Sequence, residues 1–179
     1  MASVDRRKLV FTDETGFHLA FTRAFGRAPR GTRVVGRVPF KRGPNHSLIG
    51  SLGLRGMVTS LLLTGGVDHS VFDAFVNELL LPQVRAGDVL LLDNLPAHKA
   101  SRVEESAAKA KAEVIWLPAY SPDFSPSENC WLKIKTFVRG QQPRTAPDLS
   151  KAVSAAIRTV TKEDIAAWFK HCGLMSGHI

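Results

Sequence analysis

Cysteine is scarce in this 179-residue sequence: there are two, Cys130 and Cys172. Both fall in segments with helical patterning and neither stands at a metal-ligand spacing. A disulfide-stapled scaffold is therefore not indicated, and reduced thiols in a cytoplasmic setting are the plain reading. Long apolar runs are missing too. None approaches the roughly 20 residues that a membrane span needs. The start, Met1 to Lys8, is basic but has no apolar stretch or cleavage site behind it, which argues against a secretory signal. Internal repeats and low-complexity tracts are absent.

Acidic residues are the minority, with 16 Asp and Glu against 24 Lys and Arg, a formal charge of +8 and a pI near 9.9. Such a balance favours a polyanionic partner, because counterions released from phosphates drive association. The excess is concentrated. Between Arg23 and Arg42 there is no acidic residue, while Arg23, Arg27, Arg30, Arg33, Arg37, Lys41 and Arg42 lie among glycines and prolines. That composition predicts a loop or extended arm. Over all 179 residues the sequence is 44% hydrophobic and 22% charged, enough for one domain over 1–179 to bury a core without staples.

Lys8–Thr12 reads as a strand running into Asp13-Glu14, with His18–Phe21 as a candidate antiparallel partner. His46–Leu54 and Met57–Leu63 read as two strands around Arg55-Gly56. From about Ser70, Phe72, Phe75, Val76, Leu79 and Leu80 follow the spacing of one helical stripe. Val89–Leu92 is an unbroken apolar run, as in a strand buried on both faces, and it ends on Asp93-Asn94. A helix over 99–111, a strand over 113–117 and three further helices follow. Ser125 suits the N-cap and Pro126 the first position of the first of these. The other two span about 146–160 and 162–172, the last capped by Thr161 and stopped at Gly173. A mixed sheet flanked by helices, an α/β fold, is the simplest arrangement of this order.

Asp13 and Asp93 both sit where strands are predicted to end, the place where side chains leave a packed core on a rigid backbone. Glu128, in the first turn of a helix, can complete a cluster. Three carboxylates in one crevice repel, and a divalent cation removes that penalty. Hard oxygen donors favour magnesium or manganese over zinc. Two such ions about 3.5–4 Å apart would suit in-line displacement at phosphorus. Each acid also has a plainer reading. Asp13 fits a turn, as does Asp93-Asn94 before Pro96. Glu128 fits a capping box with Ser125, and His98 a surface turn.

The stretch Leu117-Pro-Ala-Tyr-Ser-Pro-Asp-Phe-Ser-Pro-Ser-Glu-Asn-Cys-Trp-Leu-Lys-Ile-Lys135 closely resembles the third catalytic motif of bacterial insertion-sequence transposases of the mariner superfamily. Asp93-Asn-Leu-Pro-Ala-His98-Lys99 resembles the second motif, and Phe11-Thr-Asp13-Glu14-Thr-Gly-Phe17 the first. The segment Arg27-Ala-Pro-Arg-Gly31 also resembles the family's sequence after the first motif. The motifs occur in order, with 34 residues between Asp93 and Glu128, a spacing typical of the family's DDE branch.

The resemblance implies a ribonuclease-H-like fold and a catalytic, metal-binding triad of Asp13, Asp93 and Glu128. Supporting roles fall to Glu14, Asn94 and His98. It further implies Mg2+ (with Mn2+ as a substitute), duplex DNA as substrate, cleavage and strand transfer, and a homodimer on DNA. The basic arm is expected to contact phosphates or a second protomer, and Lys133 and Lys135 to approach phosphate. The solvated-surface reading stands beside each. The family's N-terminal helix-turn-helix region has no counterpart here, so an upstream-frame DNA-binding polypeptide is a further expected partner, in a bacterial, nucleoid-associated setting. An inactive DNA-binding remnant and another ribonuclease-H-like nuclease are the alternatives.

Overall fold

The computed structural model describes residues 5–93, 101–118 and 125–175. After a short 3-10 turn at Arg6–Lys8, strand β1 spans Leu9–His18, β2 Asn45–Gly53 and β3 Gly56–Thr64. Helix α1 (His69–Ala74) continues as a π-helical stretch over Phe75–Leu80 and a 3-10 turn over Leu81–Gln83. Strand β4 (Val89–Leu92), helix α2 (Ser101–Lys109) and strand β5 (Glu113–Trp116) follow. Helices α3 (Ser127–Gln141), α4 (Ala146–Arg158) and α5 (Lys162–His171) complete the order. The five strands form one sheet, β3-β2-β1-β4-β5. The first three pair antiparallel, while β1, β4 and β5 run parallel. It is the mixed sheet flanked by helices that the sequence predicts.

Alternation along β1 divides the core in two. Leu9, Phe11 and Phe17 join Val89, Leu91 and the buried faces of α3, α4 and α5. Val10 joins Ile49, Leu90, Leu92 and the buried residues of the α1 region and α2. β4 feeds both sides, which is why its four residues are all apolar and buried. Phe11 meets Phe169 of α5 edge-on, with ring centroids 5.5 Å apart, and each fully buried ring of this kind stabilises the fold by roughly 1.5–3 kcal/mol.

Three differences from the sequence expectation have local causes. β1 runs to His18 rather than stopping at Thr12, and its antiparallel partner is β2, from Phe11 opposite Leu52 to His18 opposite Asn45. His18–Phe21 is therefore not a returning strand. Leu19-Ala20 is a turn, closed by the Phe21 amide on the His18 carbonyl. In the α1 region the apolar stripe is present, but the ladder widens after Ala74. There Asn77 Nδ2 donates to the Asp73 carbonyl at 2.9 Å, taking the acceptor that an α-type bond would use. At α3 the helix begins at Ser127, one residue later than predicted, with Pro126 in the capping position.

Among the described residues no helix is long and apolar enough to cross a membrane.

Candidate active site at the ends of two parallel strands

β1 and β4 pair in parallel up to Thr12 opposite Leu92. Asp13 and Asp93 are the next residue of each chain segment, so two carboxylates leave neighbouring strands at the same level. β1 continues past this point, where among the described residues it is paired only with β2. Asp13 is thus inside a strand and still at the edge of the parallel ladder. Alternation carries Asp13 to the face of Phe11 and Leu91, the side covered by α3. Glu128 lies in the first turn of that helix, exposed.

Asp13 is held from two directions. Its Oδ1 accepts from the Glu14 amide at 2.7 Å and its Oδ2 from Trp131 Nε1 at 2.9 Å. Burial pushes its carboxyl up to about 6, against the lowering effect of these two hydrogen bonds, and the charges of Glu128 and Asp93 add to the rise. The charges of the other two acids thus reach Asp13. Glu14, on the opposite face, is half-buried. Its carboxyl is raised by burial and by the charges of Asp13 and Asp93, and its buried Oε2 has no hydrogen-bond partner among the described residues. On α3, burial lowers the Lys135 ammonium, while Glu128 and Asp13 pull the other way. Lys135 is thus a cation at the edge of the acidic group.

Among the described residues, no three acidic, histidine or cysteine side chains are grouped tightly enough to hold a metal ion. Asn94 and His98 lie outside the described residues. The capping box does not form: Ser125 Oγ donates to Ser127 Oγ at 3.0 Å, and Pro126, which has no side-chain donor or acceptor, takes the cap position. Glu128 is not occupied there as a helix cap. Lys133 pairs with Asp164 at the start of α5, so it braces two helices. Cys130 is buried and its thiol is pushed by burial up to about 12, unsuited to nucleophilic chemistry.

Trp131 is not among the site residues expected from the sequence. Its one available signal is its spacing: it follows Glu128 by three, a neighbouring position on a helix.

The basic segment connects β1 to β2. All seven of its cations are exposed, and none forms an ion pair among the described residues. Phe25 and Phe40 are 91% and 100% exposed. Its base is closed by the Leu19 amide on the Arg42 carbonyl at 3.0 Å. Arg144 also donates to the Leu19 and Phe21 carbonyls.

The family described as DDE superfamily endonuclease matches residues 8–150. Among solved structures, a pre-cleavage Mos1 transpososome superposes with a TM-score of 0.68 at 17% identity, covering 97% of this chain and 57% of that one. The mariner Mos1 paired end complex with Mg gives 0.70 at 17% identity, covering 92% and 53%. The Mos1 transposase catalytic domain with Raltegravir and Mg gives 0.67 at 18%, covering 94% and 82%. The chain thus spans a little over half the length of the longer Mos1 chains, and the likeness in fold is to their ribonuclease-H-like catalytic domain. No curated protein matches the sequence.

Proposed function

The chain belongs to the DDE superfamily endonucleases, and from that premise we propose that it is the catalytic part of a mariner-like transposase, cutting and joining duplex DNA with Asp13, Asp93 and Glu128. The observation that carries the proposal is that Asp13 and Asp93 both follow directly on the last parallel pair of β1 and β4, beneath the helix that bears Glu128.

The donor chemistry fits divalent cations. Asp13 is raised by burial and by two like charges, and Glu14 keeps a buried oxygen without a partner. Excess negative charge of this kind is what Mg2+ or Mn2+ would neutralise. Asp13, Asp93 and Glu128 are the residues that would hold two such ions, which would draw the three carboxylates together. When bound, such ions stabilise charge on the attacking and leaving oxygens of an in-line displacement at phosphorus. The residues themselves have separate tasks. The strand backbones fix the two aspartates, while Glu128, on an exposed first turn, closes the group. Lys135, a cation beside the acids, would meet a phosphate oxygen, and the exposed arm would supply cations along the duplex. Water would be the nucleophile for cleavage and a DNA 3′-hydroxyl for joining. Solved structures of similar fold are Mos1 paired-end complexes, and a homodimer on two DNA ends is our reading here. A bacterial, nucleoid-associated setting follows from the motif resemblance.

The test is nicking of supercoiled plasmid in Mg2+ or Mn2+, wild type against Asp93→Asn. Metal-dependent nicking that falls to the metal-free level in the variant supports the assignment. Equal nicking by both proteins indicates a contaminating nuclease, and no nicking by a folded wild type favours a DNA-binding remnant.

A further inference from the structure

We propose that Trp131 is a positioning residue for the first carboxylate, aiming Asp13 through its indole N–H, and that Gly50 is the residue that lets the ring reach it.

The geometry is a three-part contact. Asp13 lies opposite Gly50 across the β1–β2 ladder. Trp131 is 2% exposed and comes from α3 above that strand pair. A Cβ on Gly50 would stand 2.7 Å from the indole Cη2, closer than carbon atoms pack, and in contact with Cζ3 at 3.5 Å. Any side chain at residue 50 would therefore push the outer edge of the ring out of its seat. With glycine there, the ring lies over the strand and its Nε1 donates to Asp13 Oδ2.

The two donors to Asp13 are both rigid. One is a strand amide and the other a ring clamped in the core beside Cys130 and Ile134. Each occupies one lone pair of one carboxylate oxygen, so the group cannot spin about its terminal bond, and one lone pair per oxygen stays open. A buried indole needs an acceptor for its N–H, and a neutral carbonyl would serve that purpose alone. Here the acceptor is the acid at the end of the parallel ladder. Hydrogen bonds behind a ligating carboxylate are the usual means of fixing its direction, and their loss typically weakens metal affinity about 10–100-fold.

The inference rests on the reading of Asp13 as a metal ligand, and the experiment separates the two. Mn2+ binding to the full chain is measured by electron paramagnetic resonance of the free ion, for wild type, Asp13→Asn, Trp131→Phe, Gly50→Ala and the double variant of the last two. Ile134→Val serves as a mildly destabilised core control, and circular dichroism checks each fold. Trp131→Phe keeps an apolar ring without the donor, and its Mn2+ affinity is expected to fall about 10–100-fold. Nicking should return towards the wild-type rate at saturating Mn2+. Gly50→Ala, which keeps the donor but displaces the ring, should fall in the same direction. Because phenylalanine lacks the outer indole ring, Gly50→Ala should cost no further affinity in the Trp131→Phe background.

Wild-type affinity in Trp131→Phe would overturn the inference while leaving the metal site standing. So would an equal loss in Ile134→Val. Should Trp131→Phe fail to fold, Gly50→Ala alone decides: unchanged affinity overturns the inference and a loss upholds it. Absence of any Asp13-dependent Mn2+ binding by the wild type would overturn the functional reading and this one with it.

Discussion

Asp13 has an ordinary carboxyl value of 3.8 and a folded value of about 6, raised chiefly by burial. In the window between these values the native chain holds a proton that the unfolded chain has released. By linkage, the stability associated with Asp13 is therefore fully present below about 4 and is lost as pH rises through about 6. The span corresponds to about 3 kcal/mol at most, with partial exposure reducing it. Asp13→Asn removes the titration but also loses an acceptor, so its absolute stability is not the readout. The pH course is. In urea unfolding without metal, the stability of wild type relative to Asp13→Asn should decline between pH 4 and 6 and then level. A difference that is flat with pH would contradict the burial of this charge. The same residue shows what spacing can and cannot reveal. Its place in an acidic motif was legible, because Asp13, Asp93 and Glu128 stand at motif positions. Its partner was not, because Trp131 lies 118 positions away and only the packing of α3 on β1 brings them together.

Elements were legible where one physical signal dominates. Val89–Leu92 reads as a two-sided buried strand from composition alone, and α5 was foreseen from Thr161. There the capping box forms, with the Thr161 hydroxyl accepting from the Asp164 amide at 3.1 Å and Asp164 accepting from the Thr161 amide at 2.9 Å. Thr161→Ala is expected to cost about 1 kcal/mol in chemical denaturation, and an unchanged midpoint would mean the box adds nothing. By contrast, Ser125 and Glu128 have the same sequence pattern without forming the box, since a proline sits at the cap. β1 was underestimated because Asp13, Glu14 and Gly16 interrupt its apolar alternation, whereas pairing with β2 carries the strand through them. A glycine enforces that pairing at the strand's start. A Cβ on Gly53 would lie 2.6 Å from the Leu9 carbonyl oxygen, a backbone atom that cannot swing aside. Gly53→Ala should accordingly destabilise the fold by about 1–3 kcal/mol. Near-wild-type stability would show that β1 and β2 can separate locally.

At the scale of the molecule, stability and the proposed DNA contact fall to different parts. The core clusters draw on the sheet and on both helical layers. The segment between β1 and β2 contributes no buried residue from Arg23 to Arg42, yet it carries seven of the chain's 24 cations. Closure of its base by Leu19, Arg42 and Arg144 lets the two strands keep their register whatever the arm does. Replacing Arg27, Arg30 and Arg33 with glutamine should thus leave unfolding free energy within about 0.5 kcal/mol of wild type. If those side chains meet phosphates, each contact removed should make the plot of log affinity for duplex DNA against log salt shallower by about 0.9. Fluorescence anisotropy with a labelled duplex across a salt series measures the slope. A fall of two to three units would place all or most of the triplet on the backbone. An unchanged slope with intact stability would leave the arm's charge without a DNA role and return the +8 balance to the surface of the helices.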